Sequence, residues 1–542
     1  MKVADFFCGG GGFSEGFRQA GFDIVFAVDK WLPAVKTYKA NKPKTNVLHD
    51  DIIRISNLPD LEFNALVPDT EVIIGSPPCQ SFSHSNKSGN ADKSIGIKLI
   101  EAYLRIIARK KFKKNSILRY WVLENVPAVE KYIKDIYTAK DLNLSGNFIL
   151  CTRGDGTGKY NAKYFGAPTN RERYLCGDFP RPIMTHNESN IVTLGDVLSS
   201  LGDPLNSNDD VVYDINYPSL SMKRSDITDH HYLYELAEFE WKTAKRLKQD
   251  KGYMGRMSFP ENLNKPARTV MATMTASSRE AMILGYGENR YRLPTVREVA
   301  SIMSFPIDYW FCGDSKGIKH TLVGNAVPPK LSYAVAVAIA KKEDLDVPTQ
   351  YIKIKHDIND FYNLNGQHFD IKIEKKRRSG SKFKYHIPYL IVESYRVELT
   401  NYYSDFEQKQ FNWKVEIHYS QGKYKAKVYR PFVDISLIPY NYRDEVKKYL
   451  LKLYELPFNF NLFQQIYCMT TQEKQDNSLV GPYELLDMIR SFIDNTLEKS
   501  AWNKSIEIKQ NELILHLPLA ILIGYYILIN FIENNPKNGE RK

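Results

Sequence analysis

Cys79 stands in Gly75-Ser76-Pro77-Pro78-Cys79-Gln80-Ser81-Phe82-Ser83, directly after the apolar run Val72-Ile73-Ile74. The prolines fix φ and cannot donate to a ladder, so the chain must leave a sheet there. A cysteine on so stiff a turn, among Pro, Gln and Ser, reads as a nucleophile rather than a buried hydrophobe. Glu124 ends a second apolar run, Tyr120-Trp121-Val122-Leu123, and precedes Asn125-Val126-Pro127. On a rim shared with Cys79 it reads as an acid or hydrogen-bond partner. Ala4-Asp5-Phe6-Phe7-Cys8-Gly9-Gly10-Gly11-Gly12-Phe13-Ser14-Glu15-Gly16-Phe17 gives strand, glycine loop and helix, and the strand Ile24–Val28 then ends at Asp29. Glycines bring backbone N–H groups close to a ligand, and an acid about 20 residues past such a loop suits a ribose hydroxyl. The chemistry implied is a nucleophilic cysteine beside a nucleoside-containing cofactor.

The elements that must position these groups are short β-branched strands stopping at turns, each followed by a helical stretch. That alternation predicts an α/β sheet with its ligands at the carboxyl ends of the strands. Gly21 caps the first helix.

The ordered motifs resemble the DNA (cytosine-5)-methyltransferases of bacterial restriction–modification systems, from about Lys2 to Ala340. The resemblance implies a Rossmann-like, S-adenosylmethionine-dependent methyltransferase domain. It assigns Phe7, Gly9, Gly11, Gly12, Phe13, Asp29, Asp51 and Ile52 to the cofactor, with Asn325, Ala326 and Val327 of Gly324–Pro329 closing the pocket. Pro78-Cys79-Gln80 becomes the catalytic loop, and Glu124 the group that holds cytosine N3. Asn170-Arg171-Glu172-Arg173 matches the Gln-x-Arg-x-Arg motif with Thr169 in the glutamine position, placing Arg173 at cytosine O2 and Arg171 as support for the pocket or a phosphate. Cys79 would add to C6 as a thiolate, which calls for a helix N-terminus or a nearby cation. The target base must be flipped out of the duplex. Ser81 to Lys98, with Ser83 and Ser85, reads as the loop that closes over it. Arg268-Thr269-Val270 resembles the Thr-Leu/Val signature of the target-recognition region, and Thr273, Thr275, Ser277, Ser278 and Arg279 are polar candidates for base readout. The implied partners are double-stranded DNA and a cognate restriction endonuclease, with the enzyme a cytoplasmic monomer. A tRNA cytosine-5 methyltransferase and a catalytically silent DNA-binding protein are the competing classes; intact Cys79, Glu124 and Arg173 argue against the second.

Composition agrees. With 74 Lys+Arg against 63 Asp+Glu, the net charge of +11 favours a polyanionic partner. Six scattered cysteines form neither a disulfide framework nor a metal-site spacing. The chain opens directly into a strand, without a signal peptide. Leu513 to Ile532 approaches membrane-span length, but His516 and Pro518 break it into a strand and a buried helix.

The domains predicted are a catalytic domain over 1–179 completed by 291–342, a target-recognition insert over 180–290, a linker over 343–348, and an α+β domain over 349–542. In the last, Tyr351–Lys355 and Trp413–Ile417 read as strands, and Arg443–Leu456 and Pro482–Ser500 as helices. Lys372, Lys375, Lys376, Arg377, Arg378, Lys382 and Lys384 flank Ser379-Gly380-Ser381 as on a hairpin tip. They are candidates for phosphate contact.

Overall fold

The computed structural model describes residues 1–79, 82, 93–206, 208–249, 257–275, 278–287, 290–354, 356, 376–420, 427–510 and 513–536. The chain forms two compact units, Met1–Lys372 and Ile373–Lys542.

Seven strands make the central sheet of the first unit: β1 (Lys2–Phe6), β2 (Asp23–Asp29), β3 (Asn46–His49), β4 (Val72–Gly75), β5 (Tyr120–Asn125), β6 (Gly158–Asn161) and β7 (Glu172–Asp178). Their order is β3-β2-β1-β4-β5-β7-β6. The first five in that order run parallel, and β7 is antiparallel to both its neighbours. Both faces are covered, which is why β4 and β5 read as unbroken apolar runs. Val72, Ile74 and Val122 pack toward the core that holds Phe17, Leu331 and Ile339, while Ile73, Trp121 and Leu123 face the core holding Tyr103 and Ile106. Strand order reverses between β1 and β4, so the crevice beyond their carboxyl ends is where this topology seats a ligand.

Helix Gly12–Gln19 lies against helix Pro329–Lys342. A Cβ on Gly12 would sit 2.4 Å from the Val327 carbonyl oxygen, so that approach requires glycine. Residues 93–98, expected in the loop after Cys79, are instead the first turns of helix Lys93–Lys111. Gly96 and Ile100 are buried there, and that burial extends the helix toward the loop.

The insert is less irregular than its composition suggests. Helix Leu194–Leu201 carries a Thr193/Asp196 capping box. Leu194, Val197, Val212, Leu220 and Val270 share one core with Val299, Ile302, Phe305 and Phe311 from beyond the insert.

Two expectations fail just past the last helix. Glu343, placed in a linker, accepts from Tyr120 Oη at 2.5 Å and pairs with Arg119. Tyr351–Ile354 forms no strand. Its polar groups find side chains of the first unit instead of a ladder. Ile352 N and O bond Gln19, Tyr351 Oη donates to Asp308 at 2.7 Å, and His356 stacks on Trp310 at 3.8 Å.

The second unit is α+β. An antiparallel sheet (Lys384–Val392, Tyr395–Thr400, Lys414–Tyr419, Lys427–Tyr429) packs its apolar side on helices Pro482–Thr496 and Leu519–Ile532. The last of these is apolar all round and buried, as such a helix must be. Residues 376–383 are not a hairpin tip. They lead by a turn into Lys384–Val392, which pairs onward with Tyr395–Thr400. Lys372 and Lys375 lie outside the described residues.

Candidate active site

β1 delivers the glycine loop. Gly11 takes φ +85°, a left-handed conformation natural to glycine. Gly9 N–H donates to Asp29 Oδ2 at 2.9 Å and Trp31 N–H to Oδ1 at 2.8 Å, so the acid at the end of β2 is fixed by the loop it faces. Burial pushes the Asp29 carboxyl above its usual range, against these backbone donors. Asp51 caps helix Ile52–Ser56 through Ile53 N and bonds Lys30 Nζ at 2.7 Å. That lysine holds its carboxyl low.

Beneath the loop lies a buried cation that the motifs did not reveal. Lys42 Nζ reaches Glu15 Oε2 (3.2 Å), the Gly11 carbonyl (3.2 Å) and Tyr309 Oη (3.0 Å), and Tyr309 in turn donates to the Gly10 carbonyl. Its partners are far apart in sequence, so no local spacing announces it.

The rigid turn after β4 carries Cys79. Ser76 N–H donates to the Phe6 carbonyl, and Asn125 Nδ2 donates to the Pro77 carbonyl at 2.9 Å, tying the turn to β1 and β5. Glu124 is buried (4 % exposed) and gripped at both oxygens. Arg173 Nε meets Oε1 at 2.9 Å and Ser76 Oγ donates to Oε2 at 2.5 Å. Ser76 is the functional contact that sequence reasoning missed, although it adjoins the Pro-Pro-Cys turn. Burial pushes the Cys79 thiol up, Arg173 pulls it down, Glu124 adds to the rise and Arg171 opposes it. The expected cations are present, yet burial outweighs them.

These groups meet in one cleft of about 580 Å³. Its walls include Phe7, Gly9, Gly12, Phe13, Asp29, Asp51 and Ile52 on one side and Pro78, Cys79, Glu124 and Arg173 on the other, with Asn325, Ala326 and Val327 closing it. Gly11 shapes the loop without lining the cleft. Arg171 also stands back from it. Only 2 % exposed, it donates to the carbonyls of Val270, Gly324 and Ala326 and so positions the closing wall. Gln80, Ser83, Ser85 and Ser277 lie outside the described residues. Arg268 is turned inward onto Glu261 (2.8 Å). Thr269 Oγ1 donates to the Asn170 carbonyl, Val270 is buried, and strand Ala267–Arg268 pairs with Thr169–Asn170. This triplet fastens the insert to the Arg171–Arg173 segment. Arg279 likewise donates to the Leu247 carbonyl.

The donor set fits a cationic nucleoside. Two acids line the cleft with the glycine loop, and its described lining cations, Lys30 and Arg173, are already engaged by Asp51 and Glu124, which leaves no free counter-charge for a pyrophosphate among the described lining residues.

The family model for C-5 cytosine-specific DNA methylase matches residues 1–341. The type II methyltransferase M.MthTI of Methanothermobacter thermautotrophicus is 28 % identical over 367 residues, covering 64 % of this chain and 98 % of the relative. M1.HphI of Haemophilus parahaemolyticus is 28 % identical over 359 residues, covering 63 % and 87 %. Among solved structures, the S. pombe Dnmt2 methyltransferase aligns with a TM-score of 0.40 at 19 % identity, over 64 % of this chain and all of that one. The family match defines a methyltransferase. The chain belongs to the C-5 cytosine-specific DNA methylase family.

Proposed function

We propose that the protein transfers a methyl group from S-adenosylmethionine to C5 of a flipped cytosine within a specific duplex sequence, in the cytoplasm, as the methylating half of a restriction–modification system. The observation that carries this reading is the single cleft in which Cys79 and the Ser76–Glu124–Arg173 cluster face the acid-lined glycine loop. The cofactor supplies an electrophilic methyl on a sulfonium, with Asp29 and Asp51 as acceptors for its ribose hydroxyls and adenine amino group. The Cys79 thiolate adds to C6 of the base, and the displaced ring electrons are held at N3 by a proton shared with Glu124. With S-adenosylmethionine bound, the activated C5 would take the methyl as its S–CH3 bond breaks, and the bonding pair would stay on sulfur to leave the neutral thioether S-adenosylhomocysteine. Loss of the C5 proton to a base or water then drives elimination of Cys79 and restores the ring. Arg173, beside Glu124, faces the developing charge at O2. The insert over 180–290 supplies sequence recognition.

Cys79→Ala should abolish methylation of duplex DNA while leaving S-adenosylmethionine binding by calorimetry unchanged. A 5-fluorocytosine duplex should trap wild type as a covalent complex, because fluorine blocks the elimination. Methylation by the Ala variant, or no adduct with active wild type, overturns the mechanism. Preferential methylation of tRNA overturns the substrate.

A further inference from the structure

Charge is segregated within the second unit, which lies outside the family match. Residues 375–430 hold thirteen Lys+Arg against five Asp+Glu, whereas 431–542 hold twelve against fourteen. Among the described residues, the cations of 376–430 lie on the four-stranded sheet and the segments flanking and joining its strands.

The structure sorts these cations. Lys376 pairs with Glu473 at 2.5 Å, and Arg377 donates to the Tyr467 carbonyl with its guanidinium 5.0 Å over the Tyr467 ring. Both serve the unit's own packing. Arg378 and Lys382 are exposed and carry no carboxylate partner among the described residues. Asn401 fastens their turn to the segment after it, accepting from Phe383 N–H and donating to the Ser381 carbonyl. Tyr402 and Tyr403 lie there, 56 % and 58 % exposed, with Lys382 Nζ 5.8 Å over the Tyr402 ring.

The acids of the sheet are spent internally. Glu398 and Glu416 are 4 % and 3 % exposed, with His418 Nε2 at 3.1 and 2.9 Å from their Oε2 atoms. Arg396 and Lys384 complete the neutralisation of Glu398, and Tyr403 Oη donates to Glu416 at 2.5 Å. Asp405 and Glu407 remain near the surface, Asp405 capping the backbone N–H groups of Glu407 and Gln408. What faces outward is cation beside the exposed Tyr402 and Tyr403 rings, the Tyr403 hydroxyl being spent on Glu416, and cations so placed bind phosphate without reading sequence.

We propose that the surface around Arg378, Lys382, Tyr402 and Tyr403 binds the backbone of the duplex DNA that the first unit methylates, acting as a tethered, sequence-independent anchor. This rests on the function proposed above only for the identity of the duplex.

The test uses the full chain, a random-sequence duplex and a methylatable duplex, with affinity measured against NaCl concentration. In the Arg378→Ala/Lys382→Ala variant the slope of log K against log salt should fall by up to ~0.9 per lost contact, for both duplexes alike. Rate at saturating DNA, methylation pattern and melting temperature should stay as in wild type. Lys447→Ala/Lys448→Ala, which removes two exposed charges from helix Tyr440–Tyr454, should leave the slope unchanged. An unaltered slope in the first variant, or an equal fall in the second, overturns the proposal. So does a loss confined to single-stranded DNA or RNA, or an altered methylation pattern. If wild type methylates no DNA but the slope still falls selectively, the function has failed and the anchor has not.

Discussion

Cys79 is held in a place that works against its own ionisation. Its thiol is raised because burial exceeds the pull of Arg173 and Arg171, so the thiolate fraction near neutrality lies below that of an ordinary cysteine. The sign follows: kcat/KM for DNA, which reports the free enzyme, should climb with pH between 7 and 9, by about tenfold per unit while the thiol stays mostly protonated. A flat profile would mean that the thiolate already exists before DNA binds. Ser76 makes a second residue-scale prediction. Its hydroxyl fixes the oxygen of Glu124 that Arg173 does not touch. A hydrogen bond to a charged group contributes about 1.5–3 kcal/mol. Ser76→Ala should therefore lower the single-turnover rate by about 10- to 100-fold without changing S-adenosylmethionine affinity, and Ser76→Thr should restore most of it. A Ser76→Ala rate within twofold of wild type, or a parallel loss of cofactor affinity, would deny Ser76 that role.

Elements, rather than residues, decide where Arg171 acts. As the first arginine of its motif it reads as a substrate contact or a support. The strand pairing of Ala267–Arg268 with Thr169–Asn170 brings the insert and the Gly324–Ala326 carbonyls around its guanidinium, and support is the role the geometry leaves. Arg171→Ala would strand three buried carbonyls and should cost about 3 kcal/mol or more. Thermal unfolding checks this, with Arg171→Lys recovering part of the loss; unchanged melting would show the clamp to be dispensable. The same contacts explain what could be read beforehand. Strand, glycine loop and helix at Ala4–Phe17 were legible because each signal is local. So were the stiff turn at Cys79 and the strand-then-helix reading of the apolar tail at 513–532. The inward turn of Arg268 was not, since Glu261 claims it through folding rather than spacing. The course of 351–354 and His356 also escaped: alternating Tyr-Ile-Lys-Ile looks like a strand, and its true partners Gln19, Asp308 and Trp310 are distant in sequence.

For the whole molecule, the two units differ in how much sequence alone could say. In the first, the residues that line the cleft could be picked out because loop after strand repeats at each of them. The second showed its fold class, but its basic run could not be divided by inspection into Lys376 and Arg377, which serve packing, and Arg378 and Lys382, which do not. The closure of the cleft by residues from both ends of the family region has a consequence in time. Phe7 and Val327 share one wall system, and helix Gly12–Gln19 rests on helix Pro329–Lys342. At ~5–20 residues per second a ribosome needs roughly 15–60 s to travel between those walls. For most of that interval the nascent chain carries Cys79 and its glycine loop without a finished cleft. A ligand of the cleft can stabilise the fold by mass action only after the last wall has emerged, and can do nothing to guide the steps before it.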